Sequence, residues 1–381
     1  MNSKKQKPMK VNFTILLISL TQIIAVSKAF AQDGKPMLFE GSKAKLEVQT
    51  AGSAITHFSL KKLNINPFTW TLLPDQMPKP NLGTPVFRGH FLCMGRWGAA
   101  SEAEQKAGIP HNGEINTLNW KVTKSPKVEA DVIVAEAECL EIKEQMKVSR
   151  RIELQKDGQS FLMTETATNT ANLDRVYNFT QHPTIGAPFL SPSTLIDCNA
   201  TLGFDQRADF TNLEKSEFTF PEGQLTDGYA DLRKVNDDRG YVSTHIFNDT
   251  SKIGWVTATN PDQKLVLGYI FLTKEYPWLN LWHWKKDRAP YAHGLEFGTT
   301  GLGQPYKTLI DNCVTFHGRK SYEWIETGQS ITKKYICFLI EVPENFAGVG
   351  NIIFADKKAF LIERKADKPR RVELNLIQGL R

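Results

Sequence analysis

The sequence predicts an all-β protein built as one large antiparallel β-sandwich domain of many strands. Three observations carry that expectation. The chain has 381 residues, of which 41% are hydrophobic, 10% aromatic and 23% charged, a composition that excludes disorder, collagen and coiled coil as descriptions of the whole. Runs rich in Val, Ile, Phe, Tyr and Thr, bounded by Gly, Pro, Asn or Asp, recur along its length and read as strands. Helical signals are few: no segment holds a long 3.6-residue apolar period, and nothing alternates strand with helix as a doubly wound sheet requires. No repeat of roughly 20–50 residues stands out, which weighs against a propeller or solenoid. No Pro- or Ser-rich linker divides the chain.

The elements follow in order. Residues 1–31 begin with Lys4-Lys5-Gln6-Lys7, continue through an uncharged apolar stretch from Val11 to Val26 and end in Ala29-Phe30-Ala31. A basic start, a short apolar core and small residues at A-x-A spacing form a secretory signal, with cleavage expected after Ala31. The alternative is a membrane anchor, but an apolar run of about 16 residues falls short of the ~20 needed to span. No cysteine follows the run, so a lipid anchor is not expected there. The mature domain is then 32–381, in a periplasmic or secreted location. The formal charge of +6 includes five lysines of the leader, which has no acids. The mature part therefore stands only one charge above neutral, with no global electrostatic case for nucleic acid or for a membrane after cleavage.

Within the mature part, Ser101 to Lys106 reads as one short helical turn. Val128 to Cys139 alternates Val or Ala with charge. Val148 to Leu154 and Gln159 to Asn169 form a hairpin around Asp157-Gly158. Asp174 to His182 is strand-like, and further runs cover Lys264 to Leu272, Ser330 to Val342 and Asn351 to Glu363. The five cysteines, Cys93, Cys139, Cys198, Cys313 and Cys337, are odd in number, scattered and without a C-x-x-C. They read as buried small hydrophobes with room for one opportunistic bridge.

Eight histidines show no H-x-H or H-E-x-x-H spacing, so no metal motif is present. Serine-nucleophile and nucleotide-binding signatures are also missing. Four local settings remain. By period two, His182 ends a strand on a polar face with Asn178 and Thr180, and Pro183 stops the ladder. There it reaches a ligand at the rim or is satisfied by a backbone carbonyl. In His293-Gly294-Leu295-Glu296-Phe297-Gly298, Leu295 and Phe297 face the core and turn Glu296 the other way, between glycines that leave room for a ligand. A carboxylate between apolar neighbours has a raised pKa, which suits a general base; the plain alternative is a surface glutamate. Arg96 and His111 lie in Gly/Pro-punctuated loops, where binding residues concentrate, although a structural salt bridge accounts equally for Arg96. Finally, alternation places Trp278, Asn280, Trp282 and Trp284 on one face, an aromatic wall with one amide that suits a sugar cleft or plain core packing.

Pro110-His111-Asn112-Gly113, the block from Asn169 through His182-Pro183 to Pro188-Phe189, and Gly294-Leu295-Glu296 together resemble the galactose mutarotase-like superfamily, whose type member is aldose 1-epimerase. The resemblance runs from about Phe39 to Glu363. It implies a single-domain β-supersandwich with a sugar cleft on its concave face. It also implies roles: Glu296 as the base at the anomeric hydroxyl, His182 as the acid at the ring oxygen on a facing wall, and His111 and Arg96 as groups that hold hydroxyls and the ring oxygen. No metal or organic cofactor is implied. The partner is a small-molecule sugar or an oligosaccharide end. The Asn-Arg-Ile-type arginine motif of the epimerases is absent, and the aspartate that helps bind the sugar has only Asp227 and Asp231 as candidates, so the chain reads as a divergent branch. A non-catalytic carbohydrate-binding protein on the same fold is the alternative. A third reading is a polysaccharide-degrading enzyme; against it, the sequence has no accompanying helical toroid region and no evident second carboxylate placed for glycoside hydrolysis.

Overall fold

The computed structural model describes residues 34–72, 76, 87–286, 289–355, 358–365 and 367–380; the signal-like segment 1–31 lies outside the described residues. The alternating runs pair antiparallel into two large sheets. One has eight strands in the order Leu195–Cys198, Ile253–Asn260, Leu265–Leu272, Ser330–Glu341, Ser160–Asn169, Met146–Gln155, Val132–Glu141 and Lys121–Glu129. The other has eleven among the described residues, and its centre runs His90–Gly95, Arg175–Ile185, Ala289–Gly298, Trp278–Lys286, Tyr241–Phe247 and Ala200–Asp205.

Period-two alternation decides what enters the space between them. Phe179, Leu281, Leu295 and Phe297 of the larger sheet meet Phe161, Tyr269, Phe271 and Tyr335 of the smaller one. Phe271 and Phe297 stack across the gap with ring centroids 4.4 Å apart. Each such buried side chain contributes roughly 1.5–3 kcal/mol. A polar seam crosses this core. Arg150 donates to Glu165 at 2.7 Å, Gln181 donates to the other oxygen of Glu165, and His90 meets Gln181 at 3.0 Å and Tyr269 at 3.2 Å.

A third layer covers the far face of the eight-stranded sheet. Strands Val349–Ala355, Lys358–Glu363 and Arg371–Leu374 form a small sheet, and Ile352, Leu361 and Leu374 pack on Val266, Ile270, Ile336 and Phe338. Asp197 ties the layers together by accepting from Arg233 at 2.6 Å and from the Val349 amide at 2.8 Å, and by forming an ion pair with Arg364 at 2.9 Å.

Two of the expected runs are divided. Val128 to Cys139 contains a reversal at Ala130–Asp131 between Lys121–Glu129 and Val132–Glu141, with Ala130 at φ 49°. Asn351 to Glu363 likewise folds back between Ala355 and Lys358. A two-residue reversal preserves the alternation, so periodicity alone reads through it. The short helix Glu102–Lys106 forms where expected, capped by Ser101 and Glu104 in a reciprocal box. All five cysteines are unpaired, and four are buried. Among the described residues no helix is long and apolar enough to cross a membrane.

Candidate functional site

Side chains of the large sheet that point away from the core fall into transverse rows, and strand register decides the members of each row. The pairs Gln181↔Phe297 and Thr184↔Gly294 set His182 directly opposite Glu296. Phe91 opposes His182, Asn280 opposes Glu296, and Thr244 opposes Asn280. One row across five strands therefore reads Phe91, His182, Glu296, Asn280, Thr244. The expectation of two groups on facing walls is corrected here: the imidazole and the carboxylate are neighbours on one floor, because their strands are adjacent.

Within that row His182 Nε2 lies 3.2 Å from Glu296 Oε1. His182 Nδ1 meets Thr184 Oγ1 at 3.0 Å, and its ring stacks on Phe91 with centroids 4.2 Å apart and planes 19° off parallel. Glu296 Oε2 accepts from the Trp97 indole N–H at 2.7 Å. Burial dominates the electrostatics. It pushes Glu296 up to about 8, with the Trp97 hydrogen bond pulling the other way, and it pushes His182 down to about 3. The pair thus holds one proton between two sites near neutral pH, with the carboxyl as its resting place. Gly294 is required beside it. A Cβ there would sit 2.7 Å from Glu296 Oε1 and 3.2 Å from the Trp282 Cβ. Gly298 does not open onto a ligand; it packs on Thr180.

The loop after His90–Gly95 closes over this floor. Trp97 comes from it, and the Gly98 amide donates to Asn112 Oδ1 at 2.7 Å, which brings the His111-bearing segment alongside. His111 lines the resulting cavity, and its Nδ1 is buried without a hydrogen-bond partner. Burial, and then the charge of Arg96, hold it down at about 4, so it is a neutral imidazole with a free polar atom. The cavity encloses about 650 Å³. Glu296, His182 and His111 meet Trp70, Phe91, Trp97, Trp282 and Trp284 around it, with Asn112, Gln206, Arg207 and His283 also on the lining, an aromatic wall joined by polar groups.

Three expected contacts do not reach this space. Arg96 is fully buried and donates to the carbonyls of Ala99 at 3.1 Å and Gln304 at 2.8 Å. It fixes the loop that presents Trp97. Asn280 shares the row of Glu296, but its oxygen accepts from Thr244 at 2.7 Å and its amide donates to the Thr300 carbonyl at 3.1 Å. Trp278 is covered by Leu302, Leu309 and Phe316, with its N–H on the Lys320 carbonyl at 3.1 Å. Of the aromatic face, only Trp282 and Trp284 line the cavity. Asp227 serves Arg207 and Arg239, and Asp231 serves Lys234. Sequence reasoning passed over Trp97 and Trp70. Trp97 adjoins the residue chosen instead, and an indole between glycines was the available signal. Among the described residues, no group of His, Cys, Asp and Glu is arranged to hold a metal ion.

The fold defines the class: the chain has a galactose mutarotase-like fold, nearly all β with large antiparallel sheets. A galactose mutarotase-like protein from Clostridium acetobutylicum superposes with a TM-score of 0.58 at 12% identity, covering 80% of this chain and 95% of that one. A galactose mutarotase-like protein from Lactobacillus casei gives 0.55 at 13%, covering 80% and 100%. A galactose mutarotase related enzyme from Lactobacillus acidophilus gives 0.55 at 11%, covering 81% and 100%. The chain belongs to the family described as domain of unknown function DUF4432, which matches residues 112–316 and so takes in both His182 and Glu296. No curated protein matches it.

Proposed function

We propose that the protein is an exported aldose 1-epimerase-like enzyme that interconverts sugar anomers by general acid/base ring opening. The observation that supports this most is the 3.2 Å contact of His182 Nε2 with Glu296 Oε1 at the floor of a cavity large enough for a sugar. The ring oxygen and the anomeric hydroxyl are bonded to the same carbon, so a donor and an acceptor side by side serve both. Transfer of the resting proton from Glu296 to His182 gives carboxylate and imidazolium. The carboxylate takes the proton of the anomeric hydroxyl while the imidazolium protonates the ring oxygen, and the bond from that oxygen to the anomeric carbon breaks. Rotation about the adjoining carbon–carbon bond and reclosure from the other face return both protons. His111 Nδ1 offers a hydrogen bond to a hydroxyl, and Trp282 supplies an apolar face for ring C–H groups. The superfamily fold and the galactose mutarotase related enzyme among the similar structures point the same way. The basic and apolar leader supports export.

Glu296→Gln should lower anomer exchange by roughly 10²–10⁴-fold while near-UV circular dichroism stays unchanged. Polarimetry or exchange NMR over a panel of aldoses measures it. Wild-type protein that binds sugars but never exceeds the buffer rate would overturn catalysis and leave a carbohydrate-binding protein.

A further inference from the structure

The floor of the cavity extends beyond the acid/base row in one direction only. Toward Trp278 it is closed by Leu302, Leu309 and Phe316. Toward Trp284 it stays open for two more rows. The first holds Val242, Trp282, Gly294 and Thr184. In the second, Trp284 opposes Ala292, and Gly240, next to the Tyr241↔His283 pair, continues the register on its other side. Each row lies roughly 6.6 Å beyond the last, a little more than one pyranose ring.

Trp284 stands above its neighbours. Ala292 presents a methyl group, and Gly240 is exposed and presents nothing. Tyr291 meets Trp284 edge-on with centroids 5.1 Å apart, which holds the indole in place. Trp282 and Trp284 are 5.8 Å apart and tilted by 35°, so two partly exposed aromatic faces step outward from Glu296 along one strand. Arg207 lines the same end, fixed by Asp205 at 2.7 Å and Asp227 at 2.8 Å.

We infer that the site takes the reducing end of an oligosaccharide, with the terminal ring over Glu296 and His182 beside Trp282 and the next ring stacked on Trp284. The inference rests on the sugar-site reading above and narrows it from a free aldose to a chain of at least two rings. One ring fills one row. Trp284 packs with Trp282 and Tyr291 against the cluster of Trp70, Leu72 and Phe87, and it stays partly exposed two rows away, beside a methyl group and a bare backbone.

Calorimetric or NMR titration with glucose, galactose, maltose, cellobiose and lactose tests it. At least one reducing disaccharide should bind about tenfold more tightly than its reducing-end monosaccharide, the scale of one added stacking contact. Trp284→Ala should weaken that disaccharide about tenfold more than it weakens the monosaccharide. Gly240→Leu should do the same by occupation of the second position. A Cβ there meets only the His283 carbonyl, at 3.6 Å, so the fold tolerates it. Equal affinity for one and two rings, or a Trp284→Ala loss shared equally by both, overturns the second position and leaves the sugar site standing. Binding of none of the five overturns the sugar site and the second position together.

Discussion

Glu296 owes its properties to what it lacks. Among the described residues no Lys or Arg is paired with it; the Trp97 N–H favours the anion, and burial outweighs that donor. The sign of its contribution to stability follows. Its pKa rises from 4.5 to about 8 on folding, so between those values the folded protein holds a proton that the unfolded chain has released. The stabilisation is whole below pH 4.5 and is lost as pH climbs to 8, by at most about 1.4 kcal/mol per unit. His182, pushed down from 6.5 to about 3, acts oppositely and weakens the fold as pH falls across that interval. Glu296→Gln should reduce the loss of stability between pH 5 and 8 without abolishing it, because Glu144, pushed up by burial to about 7, keeps its own share, as urea unfolding midpoints at pH 5, 6, 7 and 8 will show. Glu296 was legible in the sequence because Leu295 and Phe297 bracket it and force it off the core face. Arg96 was misread because a guanidinium fork looks the same in sequence whether it meets a ligand or main-chain carbonyls.

At the scale of elements, the segment from Arg96 to Gly113 covers one side of the cavity and is fixed by Arg96. Truncation of that side chain empties a fully buried volume and removes the donors that the Ala99 and Gln304 carbonyls hold. Arg96→Ala should therefore cost about 2–4 kcal/mol in urea unfolding, and Arg96→Lys should recover little of it, because an ammonium cannot span both carbonyls. The aromatic strand shows where sequence reading stops. Alternation placed Trp278, Asn280, Trp282 and Trp284 on one face, and they share it. Which half lies open depends on the segment around Leu302, Leu309 and Phe316 crossing over Trp278. That crossing is a tertiary event with no local pattern in the strand it covers.

Across the whole molecule, three layers divide the labour. The eleven-stranded sheet carries the cavity, the eight-stranded sheet backs it, and the C-terminal sheet seals the far side. Leu361→Ala in that seal should cost about 2–5 kcal/mol in thermal or urea unfolding. Sugar affinity should stay unchanged, since two sheets separate Leu361 from Glu296. The all-β class and the hairpin at Asp157-Gly158 were readable from periodicity and turn residues. The third layer was not: the strands of 349–363 alternate like those of the sandwich, and only their choice of partner, set by Trp255, Ile270 and Phe338, makes them a separate sheet.

The opposition of His182 and Glu296 is a product of alignment between two strands more than a hundred residues apart in sequence. Displacement of either strand by a single position would turn its titratable group inward and put a core side chain in the cavity. Each group is also held by its strand's other neighbour, His182 opposite Phe91 and Glu296 opposite Asn280, so either can be seated alone, but the two share a proton only where that one register brings them side by side.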